Sequence, residues 1–364
     1  MRRCDGGSTA GGLLERLGRP RAAPRARSGP APGGAQPRGA GSRTGRQQGR
    51  PPPSEVTLPA IFQPAASLVA LYGTPGHDEI NPALVLALTT PLFFGMMFGD
   101  VGYGLVLLAA TVAARRQLGQ WTPVAVTCSL ASAGFGLLCG SVFGVEHWLP
   151  AVWLRPVEEP FRLLAAALWA GVAFIFTTFV LKASTLFRQG RRLEACIGLP
   201  GGAGALAYAG AVLGVRALYA QQGVPLIAWG AVLAGTTTAA LYAVLEIRAH
   251  GRSKMADLAS DYFHLLLTLL TNTLSFLRLA AFAMSHAALS TALFLVLETI
   301  PQTPAWWAVR IPVLLLGATL ILVLHTLVVA IQTIRLEFYE GLTRYYRGDG
   351  RPYRPLSFPA RTPT

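Results

Sequence analysis

The stretch LLLTLLTNTLSFLRLAAFAMSHAALSTALFLVL, residues 265–297, decides how this chain folds. It is long enough to cross a lipid bilayer as a helix, which takes about 20 apolar residues. Its one fully charged side chain is Arg278. A guanidinium does not lose its proton, and burying it in hydrocarbon costs roughly 2.5–3.5 kcal/mol or more. A charge kept at this depth indicates a functional position that needs a partner anion.

The composition of the whole chain agrees with a membrane protein. Of its 364 residues, 52% are hydrophobic and 13% are charged, whereas soluble domains average about 25% charged residues. The net charge of +14 comes largely from residues 1–50, which hold eleven Arg and two acidic residues. This part is rich in Arg, Pro and Gly, so we expect residues 1–55 to form a disordered tail. Nucleic-acid binding would depend on that tail alone and is not expected.

Eight apolar segments are predicted to cross the membrane, which gives an all-α, polytopic fold. A linker over residues 56–80 leads into a membrane domain over 81–345, and residues 346–364 form a cytoplasmic tail. The last two segments are unusually long: a helix of about 36 residues extends roughly 54 Å, against a hydrocarbon core of about 30 Å. We therefore expect them to tilt steeply or to project beyond the bilayer. The segments are residues 82–98, 101–115, 122–146, 161–183, 198–220, 224–247, 261–297 and 306–336.

The distribution of cations predicts the orientation. Arg and Lys cluster after the second, fourth, sixth and eighth segments, whereas the loops 147–160, 217–223 and 298–305 carry few cations. Loops with an excess of Lys and Arg stay in the cytoplasm. Eight spans then place both termini there, in what we expect to be a prokaryotic plasma membrane.

A stripe of polar side chains follows the seventh segment. Ser275 and Arg278 lie on one helical face, and His286 lies toward a neighbouring face. Such a face lines water, a partner helix or both in a membrane. Hydroxyl groups by themselves are often structural, because Ser and Thr hydrogen-bond to their own helix.

A second stripe follows the eighth segment and contains His325, Gln332 and Arg335. Arg335 is near the cytoplasmic end, where an arginine can also extend its charge into water. No carboxylate of the chain is predicted to lie at the depth of Arg278, since Glu340 is close to the cytoplasmic side. We therefore expect the partner carboxylate to come from another subunit.

Four motifs resemble the membrane domain of subunit a, called subunit I in prokaryotes, of the V-type and A-type rotary ATPases. The resemblance covers about residues 60–358, and the motifs occur in the same order as in the family. The motifs are LYGTPGHDEINPALVLALTTPLFFGMMFGDVGYG (71–104), GLLCGSVFG (136–144), NTLSFLRLAAFAMSHAALS (272–290) and LVVAIQTIRLEFYEGLTRYYRGDGRPYRPLSF (327–358).

The resemblance implies a stator subunit that forms ion half-channels against a rotating ring of proteolipid subunits. The ring would supply the missing carboxylate. Further implied partners are the peripheral-stalk subunits, a central-stalk subunit at the cytoplasmic face and the lipid bilayer. By position, Arg278 matches the family's essential arginine, Arg335 its second arginine, Gln332 the polar residue before it, His286 the histidine after the first arginine, and Glu340 the acid that closes RLEFYE.

Two departures from the family pattern affect this interpretation. His325 stands where many relatives carry Glu, which favours H⁺ over Na⁺ because an imidazole relays protons near pH 6.5. The large soluble N-terminal domain of the family cannot be residues 1–55, so coupling to ATP would need another polypeptide.

Two other classes of function stay open on the sequence alone. A secondary transporter could use the intramembrane Arg as the counter-ion of an anionic substrate, although no internal repeat typical of such proteins is visible. A membrane scaffold that transports nothing is the other. The sequence shows no phosphate-binding loop, and the four Cys have neither disulfide nor metal spacing. We therefore predict no cofactor, metal or nucleotide site.

Overall fold

The described part of the chain is helical apart from its loops and one isolated β-bridge between Val142 and Val145. The computed structural model describes residues 63–73, 79–145, 148–198, 200–220, 225–250, 254–346 and 348. The predicted tail over residues 1–55 lies outside the described residues, as do residues 56–62 and 74–78 of the predicted linker and most of the C-terminal tail.

Thirteen α-helices are present in these residues, with a π-helical segment near the end. A 3₁₀ turn precedes α5 and another precedes α12. The helices are α1 (Gln63–Tyr72), α2 (Ala83–Phe98), α3 (Val101–Ala113), α4 (Arg115–Leu118), α5 (Thr122–Cys139), α6 (Pro160–Arg188), α7 (Arg192–Ile197), α8 (Gly202–Tyr219), α9 (Leu226–His250), α10 (Lys254–Ser275), α11 (Leu277–Thr299), α12 (Trp307–Arg335) and α13 (Thr343–Tyr345), and the π segment is Leu336–Leu342.

All eight predicted segments are found as helices, and the prediction of an all-α, polytopic membrane protein is confirmed. Within the described residues, six helical runs are long and apolar enough to cross a bilayer, and α2 and α3 are shorter apolar helices. The last two runs are the longest, with 37 residues in Phe263–Thr299 and 42 in Pro304–Tyr345. Their tilt in the bilayer stays a prediction.

The sequence pattern predicts that the seventh segment is one uninterrupted helix, but the structure divides it into two helices. α10 ends at Ser275 and α11 begins at Leu277, with the fully buried Phe276 between them. The Phe276 ring packs against Phe93 and Phe174, with centroids 5.7 and 5.6 Å apart. The break therefore coincides with an aromatic cluster, and no Pro or Gly marks it in the sequence.

Small residues bring α2, α3 and α5 close together. A Cβ atom on Gly95 would lie 2.8 Å from the Ala131 backbone, and one on Gly104 would lie 2.8 Å from the Ala133 nitrogen. The chain turns between α2 and α3 at Gly99, which has φ of 38°. Glycine tolerates this left-handed conformation without a steric penalty.

The pair formed by α11 and α12 positions the polar stripes. A Cβ on Gly317 would meet Leu293, His286 faces His325, and Ser275 reaches Glu340. Later residues of one helix thus meet earlier residues of the other, so the two helices run antiparallel. This register sets which polar residues of the two stripes come together.

Candidate functional site

Arg278 lies in the first turn of α11, directly after the break at Phe276. Its Nη2 donates to Ser275 Oγ at 2.7 Å, and Ser275 Oγ donates to Glu340 Oε1 at 2.6 Å. Arg278 Nη2 is also 3.7 Å from that carboxylate oxygen. A single hydroxyl therefore links the cation of α11 to an acid of the π segment.

The expectation that no carboxylate of this chain lies near Arg278 is wrong. Glu340 is close to it because the antiparallel register brings the π segment to the level at which α10 meets α11. Periodicity along one helix gives the faces of that helix, but not which level of a second helix lies opposite.

The link to Glu340 leaves hydrogen-bonding capacity on both groups. Arg278 Nη1 and Glu340 Oε2 are buried and have no hydrogen-bond partner among the described residues. A guanidinium carries five N–H donors. The Arg278 side chain is 18% exposed and that of Glu340 is 7% exposed. The arginine thus has one nitrogen linked to the acid and another without a partner, and its side chain is not completely buried.

Arg335 and Gln332 lie on α12, one turn apart and just before the π segment. Arg335 is exposed, and its charge is near enough to act on that of Arg278 by Coulombic repulsion. Gln332 is half-buried, and its Oε1 has no hydrogen-bond partner in the described part of the chain. The described structure thus places five of the predicted residues in one region: Ser275, Arg278, Gln332, Arg335 and Glu340.

The two predicted histidines form a separate group. The rings of His286 and His325 face each other with centroids 4.7 Å apart, and Phe98 packs against both rings at 5.0 and 5.4 Å. His286 and His325 are 3% and 5% exposed. His286 follows Arg278 by eight residues, which is about 12 Å along a helix. The predicted site residues therefore occupy two levels of the bundle.

Asp100 joins the histidine level and is fully buried. It caps α3 by accepting from the Tyr103 nitrogen at 2.8 Å, and it accepts from Ser141 Oγ at 2.8 Å and from the Gly144 nitrogen at 2.6 Å. Its Oδ2 lies 3.9 Å from His286 Nε2, which is longer than a direct hydrogen bond. Asp100 thus fixes the loop after α5 and provides negative charge beside the histidine pair.

Comparison with known proteins places these residues in a family. Residues 41–118 match the V-type ATPase 116kDa subunit family. The chain is 32% identical over 354 residues to the A-type ATP synthase subunit I of Aeropyrum pernix, which covers 84% of this chain and 51% of the relative. The chain belongs to this family.

Other members of the family are similar over the same part of the chain. The A-type ATP synthase subunit I of Thermococcus kodakarensis is 27% identical, over 84% of this chain and 47% of the relative. That of Saccharolobus solfataricus is 26% identical, over 84% of this chain and 54% of the relative. The chain thus spans about half the length of these relatives.

Sequence reasoning missed a further acid in this family member. Glu337 lies in the π segment, is 2% exposed, and has no hydrogen-bond partner for either carboxyl oxygen among the described residues. It is located beside Thr89 of α2. A buried acid without a partner in a membrane protein is a candidate functional residue. The signal for it was the RLEFYE motif, of which only the final acid was selected.

Proposed function

We propose that this chain is the membrane stator subunit of a proton-translocating rotary ATPase of the V/A type. In this proposal the chain forms two aqueous half-channels against a ring of proteolipid subunits. Peripheral-stalk subunits hold it still, a central-stalk subunit turns at the cytoplasmic face, and other subunits carry out the nucleotide chemistry.

One observation carries the proposal: the partly neutralised, partly exposed guanidinium of Arg278. Its Nη2 is held by Ser275, and its Nη1 has no hydrogen-bond partner in the described residues. A permanent cation in a membrane normally has its donors satisfied. A buried donor without a partner, on a side chain that is 18% exposed, fits a carboxylate that arrives and leaves.

In the proposed cycle, a ring carboxylic acid moves through lipid in its neutral form and stops beside Arg278. An adjacent cation lowers the pKa of a carboxyl group by about 1–3 units. The acid therefore gives its proton to the exit half-channel and stays paired with the arginine until it is protonated again. Glu340 keeps the guanidinium partly neutralised between these encounters, which reduces the cost of holding the cation in hydrocarbon.

The same cation separates the two half-channels. A fixed positive charge repels a proton, so Arg278 hinders direct leakage between them, and Arg335 extends this barrier along α12. One elementary charge crossing 100 mV carries about 2.3 kcal/mol. Several protons must therefore cross for each ATP hydrolysed or made.

The histidine level is proposed to belong to one half-channel. His286 and His325 face each other beside Asp100, and an imidazole can both accept and release a proton. Na⁺ prefers oxygen ligands, which two imidazole rings do not provide. This composition supports H⁺ as the transported ion.

The decisive experiment replaces Arg278 in the complex reconstituted into liposomes. We expect Arg278→Ala to reduce ATP-driven acidification to background. Arg278→Lys should also fail, because a desolvated Lys can lose its proton. The control is Arg162→Ala, which removes an exposed arginine of α6 that pairs with Glu159, the residue before the helix, and should pump normally. Undiminished pumping by Arg278→Ala would refute the proposal.

A further inference from the structure

A large apolar cavity lies between α6, α8, α9 and α10, and its lining does not include Arg278. Its volume is about 580 Å³, which is within the range of about 300–1,000 Å³ typical of ligand sites. Small residues of α8 and α9, such as Ala207 and Gly235, form part of its wall. Leu266 and Leu270 of α10 line it and are 56% and 60% exposed, so the cavity opens to the surface of the bundle.

The polar groups of the cavity are distributed unevenly. Halfway along it, the Tyr208 hydroxyl and Thr273 Oγ are 2.8 Å apart and hydrogen-bonded to each other. The guanidinium of Arg216, near the end of α8, is the charged group of the lining and is exposed. The cavity is therefore an apolar groove with a cation at one end.

We propose that this groove binds one acyl chain of an anionic phospholipid, with the phosphate of its headgroup on Arg216. The occupant must be apolar along its length and negative at one end, and an anionic phospholipid has this distribution. From Ala203 to Arg216 the wall extends roughly 20 Å at 1.5 Å per residue. One leaflet of the hydrocarbon core is about 15 Å thick, so an acyl chain that begins at Arg216 runs along most of the groove.

The charge favours a lipid over a transmembrane helix of another protein. A helix would fill an apolar groove without any need for a cation at its end, and helices associate in membranes mainly through close packing and interhelical hydrogen bonds. Tyr208 and Thr273 already satisfy each other. A juxtamembrane cation, by contrast, attracts anionic lipid.

Photolabelling of the purified full chain tests the proposal. The chain is reconstituted with phosphatidylglycerol that carries a diazirine in its acyl chain, and labelled peptides are identified by mass spectrometry. We expect labelling to concentrate in residues 203–216 and 265–277. Labelling spread evenly over the exposed faces of α6 and α12 would overturn the proposal, as would a groove found crosslinked to a partner polypeptide.

Two variants test binding of the acyl chain and binding of the headgroup separately. Ala211→Trp places an indole in the groove and should abolish the concentrated labelling. Its matched control is Ala240→Trp, on an exposed position of α9 outside the groove, which should leave labelling unchanged. Arg216→Gln should keep the labelling but reduce the preference for phosphatidylglycerol over phosphatidylcholine by about fivefold. An unchanged preference in Arg216→Gln, or unchanged labelling in Ala211→Trp, would contradict the assignment.

Discussion

Ser275 connects the two charged groups of the candidate site. It accepts from Arg278 and donates to Glu340, so one hydroxyl sets the position of both. A hydrogen bond to a charged group contributes about 1.5–3 kcal/mol. The position of Arg278 thus depends on an uncharged side chain. From the sequence alone, the hydroxyl of Ser275 cannot be distinguished from one that only hydrogen-bonds to its own helix.

Removing this hydroxyl should weaken proton transport without abolishing it. We expect Ser275→Ala to lower the initial rate of ATP-driven acidification by about tenfold, because loss of one such bond is worth about 1.4 kcal/mol or more. Arg278 remains in the variant, so some transport persists. Ser184→Ala is the control, since that exposed hydroxyl bonds only to the Val180 carbonyl of its own helix. Equal rates in the two variants would show that the Ser275 bridge is dispensable.

The single residues of the site differ in how well sequence predicted them. Arg278 was found because a full charge in an apolar stretch is costly, and that cost is visible in one segment. Its neighbour Glu340 was placed elsewhere, because the contact depends on the register between two helices. Asp100 was not selected from the sequence, because its hydrogen bonds depend on a loop some forty positions later in the chain.

At the scale of elements, hydropathy predicted the helices well and their interruptions poorly. Each apolar segment is a helix because the backbone must satisfy its own hydrogen bonds in lipid. The break at Phe276 and the start of the π segment at Leu336 have no Pro or Gly signal at the point of change. Both come from tertiary packing, which a single segment does not encode.

The break between α10 and α11 should depend on Gly171 of α6. A Cβ at Gly171 would lie 2.4 Å from Phe276 Cγ, and Phe276 is fully buried. We expect Gly171→Ala to reduce the free energy of unfolding by about 1–3 kcal/mol, as overpacking does. The measurement is the Tm of the detergent-solubilised chain.

Gly134→Ala is the control for this variant. A Cβ at Gly134, inside α5, meets no atom within 4 Å. Replacement of a helical Gly by Ala there should leave Tm unchanged or raise it, because Ala is favoured by roughly 0.5–1 kcal/mol. A Tm for Gly171→Ala at or above that of Gly134→Ala would show that the Phe276 ring does not need the space beside Gly171.

At the scale of the whole molecule, the main untested prediction from the sequence is the orientation of the protein in the membrane. Val157 and Gln189 flank α6 and are both exposed. With cation-rich loops in the cytoplasm, Val157→Cys should react with a membrane-impermeant maleimide from outside the cell. Gln189→Cys should react only in inside-out vesicles. Both cysteines are introduced into a variant that carries Cys4→Ser and Cys196→Ser. The reverse pattern of labelling would invert the proposed topology.

The first and last described segments of the chain meet. The Tyr346 hydroxyl donates to the Gly73 carbonyl at 2.7 Å, and the Tyr72 and Tyr346 rings pack with centroids 5.8 Å apart. Burial raises the pKa of the Tyr346 hydroxyl. The predicted membrane domain over residues 81–345 places this contact outside the bilayer, so we expect the chain to cross the bilayer an even number of times. Any helix added to or removed from the set of membrane crossings must therefore bring a second one with it.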